Sequence, residues 1–278
     1  MISNGFEIWG YHIPNKCVSD DDRQYLLKFS NRPVLSVDEL WKEIDRVWDK
    51  LSLSNQTSLQ SQKIGDFYSH PVWILNGLFS AFDYASVSHR NAITKFIRSI
   101  PAKKIGDYGG GFCELAIKLS NACPDATIRI IEPFPSQLGK QRISGYPNLS
   151  FLNILEKDYD VLIAQDVLEH VEQPIELAAS LSDALSSGGF VIFANCFFPY
   201  IKCHLPHNFH LRYTFPWVVK AAGLDYVGSV PGASHCQIFK KIGDVDCKKL
   251  ARRNKHSKFI GPMYNLGYKI LNILRNPR

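Results

Sequence analysis

Three carboxylates, a histidine and a run of glycines stand at intervals that suit ligand binding. Asp107 is followed by Gly109, Gly110 and Gly111, Glu132 comes twenty-five residues after Asp107, and Asp166 and His170 stand four apart in the segment DVLEHV. Glycine serves where a backbone must take φ > 0 or admit a ligand, and a helix opening behind such a turn offers free N–H groups to a polar or negative group. A carboxylate at a strand tip can accept both hydroxyls of a ribose. A histidine near its ordinary pKa can take a proton from a hydroxyl at neutral pH. Tyr68, in the aromatic stretch DFYSHPVWILNGLFSAF (66–82), reads either as a ligand-facing phenol or as a packing residue beside Trp73, Leu75, Leu78 and Phe79.

These groups need strands that end where they stand. The sequence around the glycines, KKIGDYGGGFCELAIKL (103–119), predicts a strand, a tight turn and an amphipathic helix carrying Phe112, Leu115, Ala116 and Leu119. Thr127 to Ile131 is β-branched apart from Arg129 and ends at Glu132. Val161, Leu162, Ile163 and Ala164 form the continuous apolar run of a strand buried on both faces, with Asp166 at its C-terminal end, where open α/β sheets place ligands.

A dinucleotide and S-adenosylmethionine both suit such a turn. The dinucleotide fingerprint would set its last glycine at position 114, which is Glu114, a bulky anion beside a pyrophosphate. An acidic residue two before the first glycine, then G-x-G-x-small with Cys113 in the last place, resembles motif I of the class I S-adenosylmethionine-dependent methyltransferases. The phrase DVLEHVEQP (166–174) is similar to the segment after the fourth strand in a group that includes ubiquinone-type and phosphoethanolamine-type small-molecule methyltransferases.

The resemblance covers roughly 65–241. It implies an α/β, Rossmann-like class I methyltransferase fold with a mostly parallel seven-stranded sheet and an antiparallel last strand. Asp107, Gly109, Gly111, Glu132, Asn153 and Asp166 would hold S-adenosyl-L-methionine, with Asn153 where the family often has an acidic residue near the adenine. Within the domain, 185–195 reads as the end of a helix, a turn at Gly188-Gly189 and a fifth strand. Leu224 to Val230 and Ser234 to Lys241 read as the closing antiparallel pair.

Methyl transfer from a sulfonium is an in-line displacement, so the protein must supply alignment, exclusion of water and, for a hydroxyl acceptor, a base. The resemblance makes His170 and Tyr68 the catalytic pair; the alternative for His170 is a packing role. In HLRYTF (210–215), His210 and Arg212 are candidates to line the acceptor pocket, with Thr214 as N-cap of a helix that holds Pro216 and ends near Gly223. Cys203, His204, His207 and His210 invite a zinc reading. It is set aside because the group has one cysteine, Pro206 breaks any aligning helix, and methyl transfer needs no metal.

The chain has 278 residues, 45% of them apolar, enough for one sizeable core with additions. Seven cysteines without a C-x-x-C pair predict reduced thiols and a cytoplasmic setting. No basic and then apolar leader and no apolar run of about 20 residues is found, so neither export nor a membrane span is expected. The division by role is an N-terminal helical extension over 1–64, the methyltransferase domain over 65–241 and a basic amphipathic tail over 242–278. Ser36 and Glu39 make a capping box ahead of Leu40, Trp41, Ile44, Val47 and Trp48, and Ser19 opens an earlier helix; this extension would cap the acceptor side or pair two subunits as a homodimer.

Eleven Lys/Arg against Asp244 and Asp246 give residues 240–278 a charge of +9, so the body carries −3. The cluster KKLARRNKHSK (248–258), followed by Phe259, Ile260, Met263, Tyr264, Leu266, Ile270, Leu271, Ile273 and Leu274, fits a peripheral helix on an anionic membrane at the inner face, a docked terminal helix, or an arm for RNA phosphates. Gly261-Pro262 and Gly267 are expected to interrupt it. The sequence thus points to O-methylation of a small molecule or a sugar or polysaccharide precursor. The alternatives are an RNA methyltransferase and a non-catalytic methyltransferase-like binding subunit.

Overall fold

The computed structural model describes residues 5–58 and 60–275, with side chains up to Leu266. Met1 to Asn4 and the apolar side chains at 270, 271, 273 and 274 lie outside that description. The chain forms two compact units, Met1–Ile154 with Pro231–Ala233, and Leu155–Val230 with Ser234–Arg278. The expected segments 1–64, 65–241 and 242–278 divide the chain by role, which compactness does not address.

The first unit opens with a hairpin, β1 (Gly5–Ile8) and β2 (Tyr11–Pro14), where the sequence suggests helix alone. Trp9 and Gly10 turn it, both at positive φ (53° and 79°), the geometry a two-residue hairpin requires. Asparagine usually takes the first of these positions, so a tryptophan there hides the turn. Helices α1 (Asp20–Leu27) and α2 (Val37–Lys50) both start in capping boxes, Ser19 with Asp22 and Ser36 with Glu39. The spacing in α2 buries Leu40, Ile44, Val47 and Trp48 on one face. The stretch 66–82 is two helices, α3 (Gln62–Ser69) and α4 (Val72–Phe82), because Pro71 pushes His70 out of helical conformation. Helix α5 (Tyr84–Arg98), capped by Asp83, leads to the sheet.

Strand β3 (Lys104–Tyr108), helix α6 (Glu114–Ala122), β4 (Thr127–Ile131), α7 (Gln137–Ile143) and β5 (Leu149–Leu152) make two βαβ steps, with β3 parallel to β4 and β4 to β5. In the second unit, β6 (Tyr159–Gln165), α8 (Pro174–Ala184) and β7 (Leu185–Ala194) repeat the step, and Val161 to Ala164 are fully buried. Helix α9 (Phe215–Val219) precedes β8 (Leu224–Val230) and β9 (Ala233–Lys241), and β9 runs antiparallel to β7. The seven strands follow the order β5-β4-β3-β6-β7-β9-β8.

Strand β7 begins at Leu185, five residues earlier than a turn at Gly188-Gly189 would place it. The register jumps between Tyr159↔Leu185 and Val161↔Phe190, so the glycines form a bulge inside the strand. Gly188 sits at φ 76°, and a Cβ on Gly189 would lie 3.1 Å from the carbonyl oxygens of Tyr159 and Asp160. Thr214 stands at the N-cap position of α9, yet its hydroxyl donates to the His210 carbonyl at 2.8 Å and caps no amide.

The tail is one helix, α10 (Cys247–Arg275), running through Gly261 and Pro262, where the sequence predicts a break. It packs on the 3₁₀ turn Pro206–Leu211, on α9 and on the turn Lys220–Ala222. Leu250, Ser257 and Gly261 are the buried stripe, spaced by about two turns and then one. Gly261 is there because a Cβ would sit 2.3 Å from the His210 carbonyl oxygen. Gly261→Ala is expected to cost about 1–3 kcal/mol by overpacking and to make the 247–275 segment sensitive to limited proteolysis. An unchanged unfolding midpoint and digestion pattern would refute this close docking.

Candidate functional site

The first unit supplies a cradle at the C-terminal ends of β3 and β4. Directly after β3 the backbone enters the left-handed region three times, at Gly109 (φ 73°), Gly111 (φ 45°) and Cys113 (φ 67°). Glycine meets the first two demands without strain. Cys113 takes the third at a cost of about 1–2 kcal/mol, with its thiol buried and pushed up to about 12 by desolvation. Gly110 answers a different need, since a Cβ there would lie 2.8 Å from Ile130 and 2.9 Å from the Asp107 carboxylate. The turn therefore lies flat over Asp107.

Asp107 is 3% exposed, and its Oδ2 is buried without a hydrogen-bond partner. Burial, reinforced by the charge of Glu132, raises its pKa to about 7. Glu132 is held in place by two backbone donors, the amide of Gly111 at 3.0 Å on Oε2 and that of Phe134 at 3.1 Å on Oε1. Each carboxylate oxygen keeps a lone pair for a further donor. Asn153 follows the end of β5 in an exposed bend. Tyr68, on α3, stacks on Trp73 and Phe134 with ring centroids 5.4 and 5.8 Å apart.

The second unit places a polar group after β6 and β7. Asp166 leaves β6 at φ 53°, a conformation that aspartate tolerates better than most side chains, and its amide donates to the Ala194 carbonyl at 2.7 Å. Part of its surface meets solvent, but close packing strips enough hydration to raise its pKa to about 6. His170 ends the 3₁₀ turn Leu168–His170, and its Nδ1 lies 3.2 Å from the Cys203 carbonyl. A carbonyl there requires the proton on Nδ1, which leaves Nε2 with its lone pair. Burial and the neighbouring His204 ring, 4.9 Å away, push the His170 pKa down to about 3, so it is neutral at working pH. Asn195, just past β7, has both side-chain polar atoms buried without a partner.

Glu169 joins these groups although its place in DVLEHV assigns it no role. It is fully buried, its Oε1 accepts from the Cys196 amide at 2.9 Å, and its Oε2 has no partner. The one signal for it in the sequence is a charged residue between Asp166 and His170, in a segment that must face inward.

His210 is a candidate for the acceptor pocket by its sequence context. The structure instead places it under α10, with Nδ1 2.7 Å from the Ser257 hydroxyl, which in turn lies 2.5 Å from Thr214. Arg212 is half-buried, its guanidinium 3.3 Å from the centre of the Phe198 ring, and Phe198 stacks on Tyr200 at 5.5 Å. Asp107, Gly109, Gly111, Glu132, Asn153 and Tyr68 thus belong to the first unit, and Asp166, His170, His210 and Arg212 to the second.

Solved structures share this fold. An O-methyltransferase family protein from Burkholderia thailandensis aligns over 88% of this chain and 81% of its own, at 14% identity and a TM-score of 0.50. The CurJ carbon methyltransferase aligns over 80% and 70%, at 11% and 0.56. LaPhzM aligns over 78% and 76%, at 17% and 0.52. The chain has the class I methyltransferase fold. No family model and no curated protein matches it by sequence, and at these identities the likeness establishes the architecture, not the reaction. In the methyltransferase fold the carboxyl ends of the parallel strands are the ligand edge. Asp107, Glu132, Asp166 and Asn195 all stand at such ends here.

The raised pKa of Asp107 ties stability to pH. Its folded value, about 7, exceeds the unfolded 3.8, so the folded chain keeps a proton that the unfolded chain releases, and stability falls as pH rises from about 4 through about 7. The loss is expected to reach about 4 kcal/mol at most and to vanish in Asp107→Asn. Urea unfolding of both proteins across this range tests it; parallel pH profiles would show that Asp107 is not the titrating group.

Proposed function

We propose that this protein is an S-adenosyl-L-methionine-dependent methyltransferase acting on an oxygen of a small-molecule acceptor, with a sugar or polysaccharide precursor as the favoured class. The observation that supports it most directly is the buried, partnerless Asp107 oxygen beneath a turn that only glycine can form, beside a Glu132 fixed by two amides. A cationic amine above Asp107 and a ribose diol on Glu132 complete the valences that the protein leaves open. The residues present therefore fit the cofactor, with Asp107, the turn Gly109–Gly111 and Glu132 as its holders and Asn153 and Asp166 as flanking contacts. Bound there, the cofactor supplies an electrophilic methyl group.

The chain's own part is to bind, align and remove a proton. His170, with its proton on Nδ1, presents Nε2 to an acceptor hydroxyl. Burial holds its pKa at about 3, too low for an efficient base, so the proposed role requires the bound acceptor or a nearby carboxylate to raise it. Tyr68, stacked between two aromatic rings, is its proposed partner in catalysis. Asn195 has an orphaned donor and acceptor for the acceptor's polar groups, and Arg212 adds positive charge for a phosphate or carboxylate.

Helix α10 supports a lipid-linked acceptor. Its docked stripe leaves Arg252, Lys255, Phe259, Met263 and Leu266 on an exposed stripe of three to four residue spacing, basic first and apolar after. That face suits an anionic membrane surface. No described helix is long and apolar enough to cross a membrane. The seven cysteines are all free, which agrees with the proposed cytoplasmic site of action at the inner face of a membrane.

Asp107→Ala and Glu132→Ala are each expected to weaken cofactor binding by at least about tenfold, the loss of one charge-assisted contact; unchanged affinity by calorimetry in both would remove the cofactor assignment. His170→Ala is expected to lower turnover by about 10²–10⁴ at unchanged cofactor affinity, and full turnover would leave the histidine structural. The acceptor class is read by transfer of labelled methyl into host extract. Label in lipid-linked or glycan material supports the favoured class, label in RNA overturns it, and bound cofactor without transfer favours a binding subunit.

A further inference from the structure

Cys196, His204 and Glu169 come from three separate segments, the end of β7, the loop after it and the turn after β6, and the structure brings their side chains together. The carboxylate, thiol and imidazole ligand atoms all lie within 4.8 Å of one another, a meeting found for no other such group among the described residues. Glu169 is fully buried and its Oε2 has no hydrogen-bond partner. A buried carboxylate that stands beside a thiol and an imidazole and keeps one oxygen without a partner is a costly arrangement unless something cationic completes it.

We propose that Glu169, Cys196 and His204 bind one divalent cation of the zinc class. Thiolate, imidazole and carboxylate together form a borderline-soft donor set, which suits zinc and disfavours magnesium or calcium. The support around the ligands is of the kind such sites use. His204 Nδ1 lies 2.6 Å from the Phe198 carbonyl, which fixes the proton on Nδ1 and turns Nε2 into the donor. The Cys196 amide holds Glu169 Oε1 at 2.9 Å, leaving Oε2 for the ion. Ligands about 2.0–2.3 Å from a tetrahedral ion stand about 3.5 Å apart, so the three side chains close by small rotations within a 4.8 Å limit. Three protein ligands leave a fourth position open to water or to an oxygen of a bound molecule.

This set shares only His204 with the Cys203, His204, His207 and His210 group that the sequence suggests. His207 bonds the Glu172 carbonyl at 3.1 Å and His210 bonds Ser257, so both are engaged elsewhere. Cys203 lies next to His204 in sequence but directs its carbonyl to His170.

The test is cobalt(II) titration of the full-length, metal-stripped protein, followed by optical spectroscopy without cofactor, so its outcome is independent of the methyltransferase reading. The expected result is one equivalent bound, with a thiolate-to-cobalt charge-transfer band that zinc displaces. The band should vanish in Cys196→Ser and persist in Cys247→Ser, which alters an exposed cysteine outside the set. Glu169→Gln should weaken binding at least about tenfold. Cobalt bound without a thiolate band, a band that survives in Cys196→Ser, or no binding by the parent protein would each overturn the site.

Discussion

The geometry at the ends of β3 and β4 depends on one desolvated carboxylate. Asp107 ends β3 in the core, and the turn above it lies so close that Gly110 admits no Cβ. Water is excluded and no donor replaces it, so the charge is destabilised and the pKa rises to about 7. A carboxylate so placed is stabilised in its charged form by any cation that comes near it. Glu132 adds to the tension from the tip of β4, and its two amide bonds keep it from swinging away. The same backbone that buries one carboxylate therefore aims the other.

The second unit handles buried polarity differently. Here the groups are connected, through Asn208 to the Val171 carbonyl, His170 to Cys203 and Glu169 to the Cys196 amide. These bonds tie the segment 196–208 to the turn after β6. A segment with Phe197, Pro199 and Pro206, whose regular structure is limited to the start of the 3₁₀ turn Pro206–Leu211, is thereby held in place. Glu169 Oε2 and both polar atoms of Asn195, which stay unsatisfied, belong to the segments that follow β6 and β7 at their carboxyl ends.

Helix α10 combines two of the roles open to the tail. Its inward stripe, Leu250, Ser257 and Gly261, becomes small where Ser257 and Gly261 rest on the residues around His210; its outward stripe is basic and then apolar. Docking engages His210, whose sequence context points to a pocket, and Thr214, whose context points to a helix cap. It leaves Arg212, two residues on, turned to Phe198.

Local chemistry makes much of this protein legible in its sequence. The glycine turn, the strand-end positions of Asp107, Glu132 and Asp166, the capping boxes of α1 and α2 and the closing strand pair all follow from spacing and from the conformations that glycine, serine and β-branched residues prefer, which act over a few residues. Other features are set by contacts between distant segments. The left-handed backbone of Cys113, the bulge that starts β7 at Leu185, the hairpin turned on Trp9, the loss of His210 to helix docking and the meeting of Glu169 with Cys196 and His204 are of this second kind. Apart from Gly10 in the hairpin and Gly188 in the bulge, no residue among them carries a local preference for its final state. Each is held there because the packed core leaves no other place for its backbone or side chain, and that is decided only when the chain has folded.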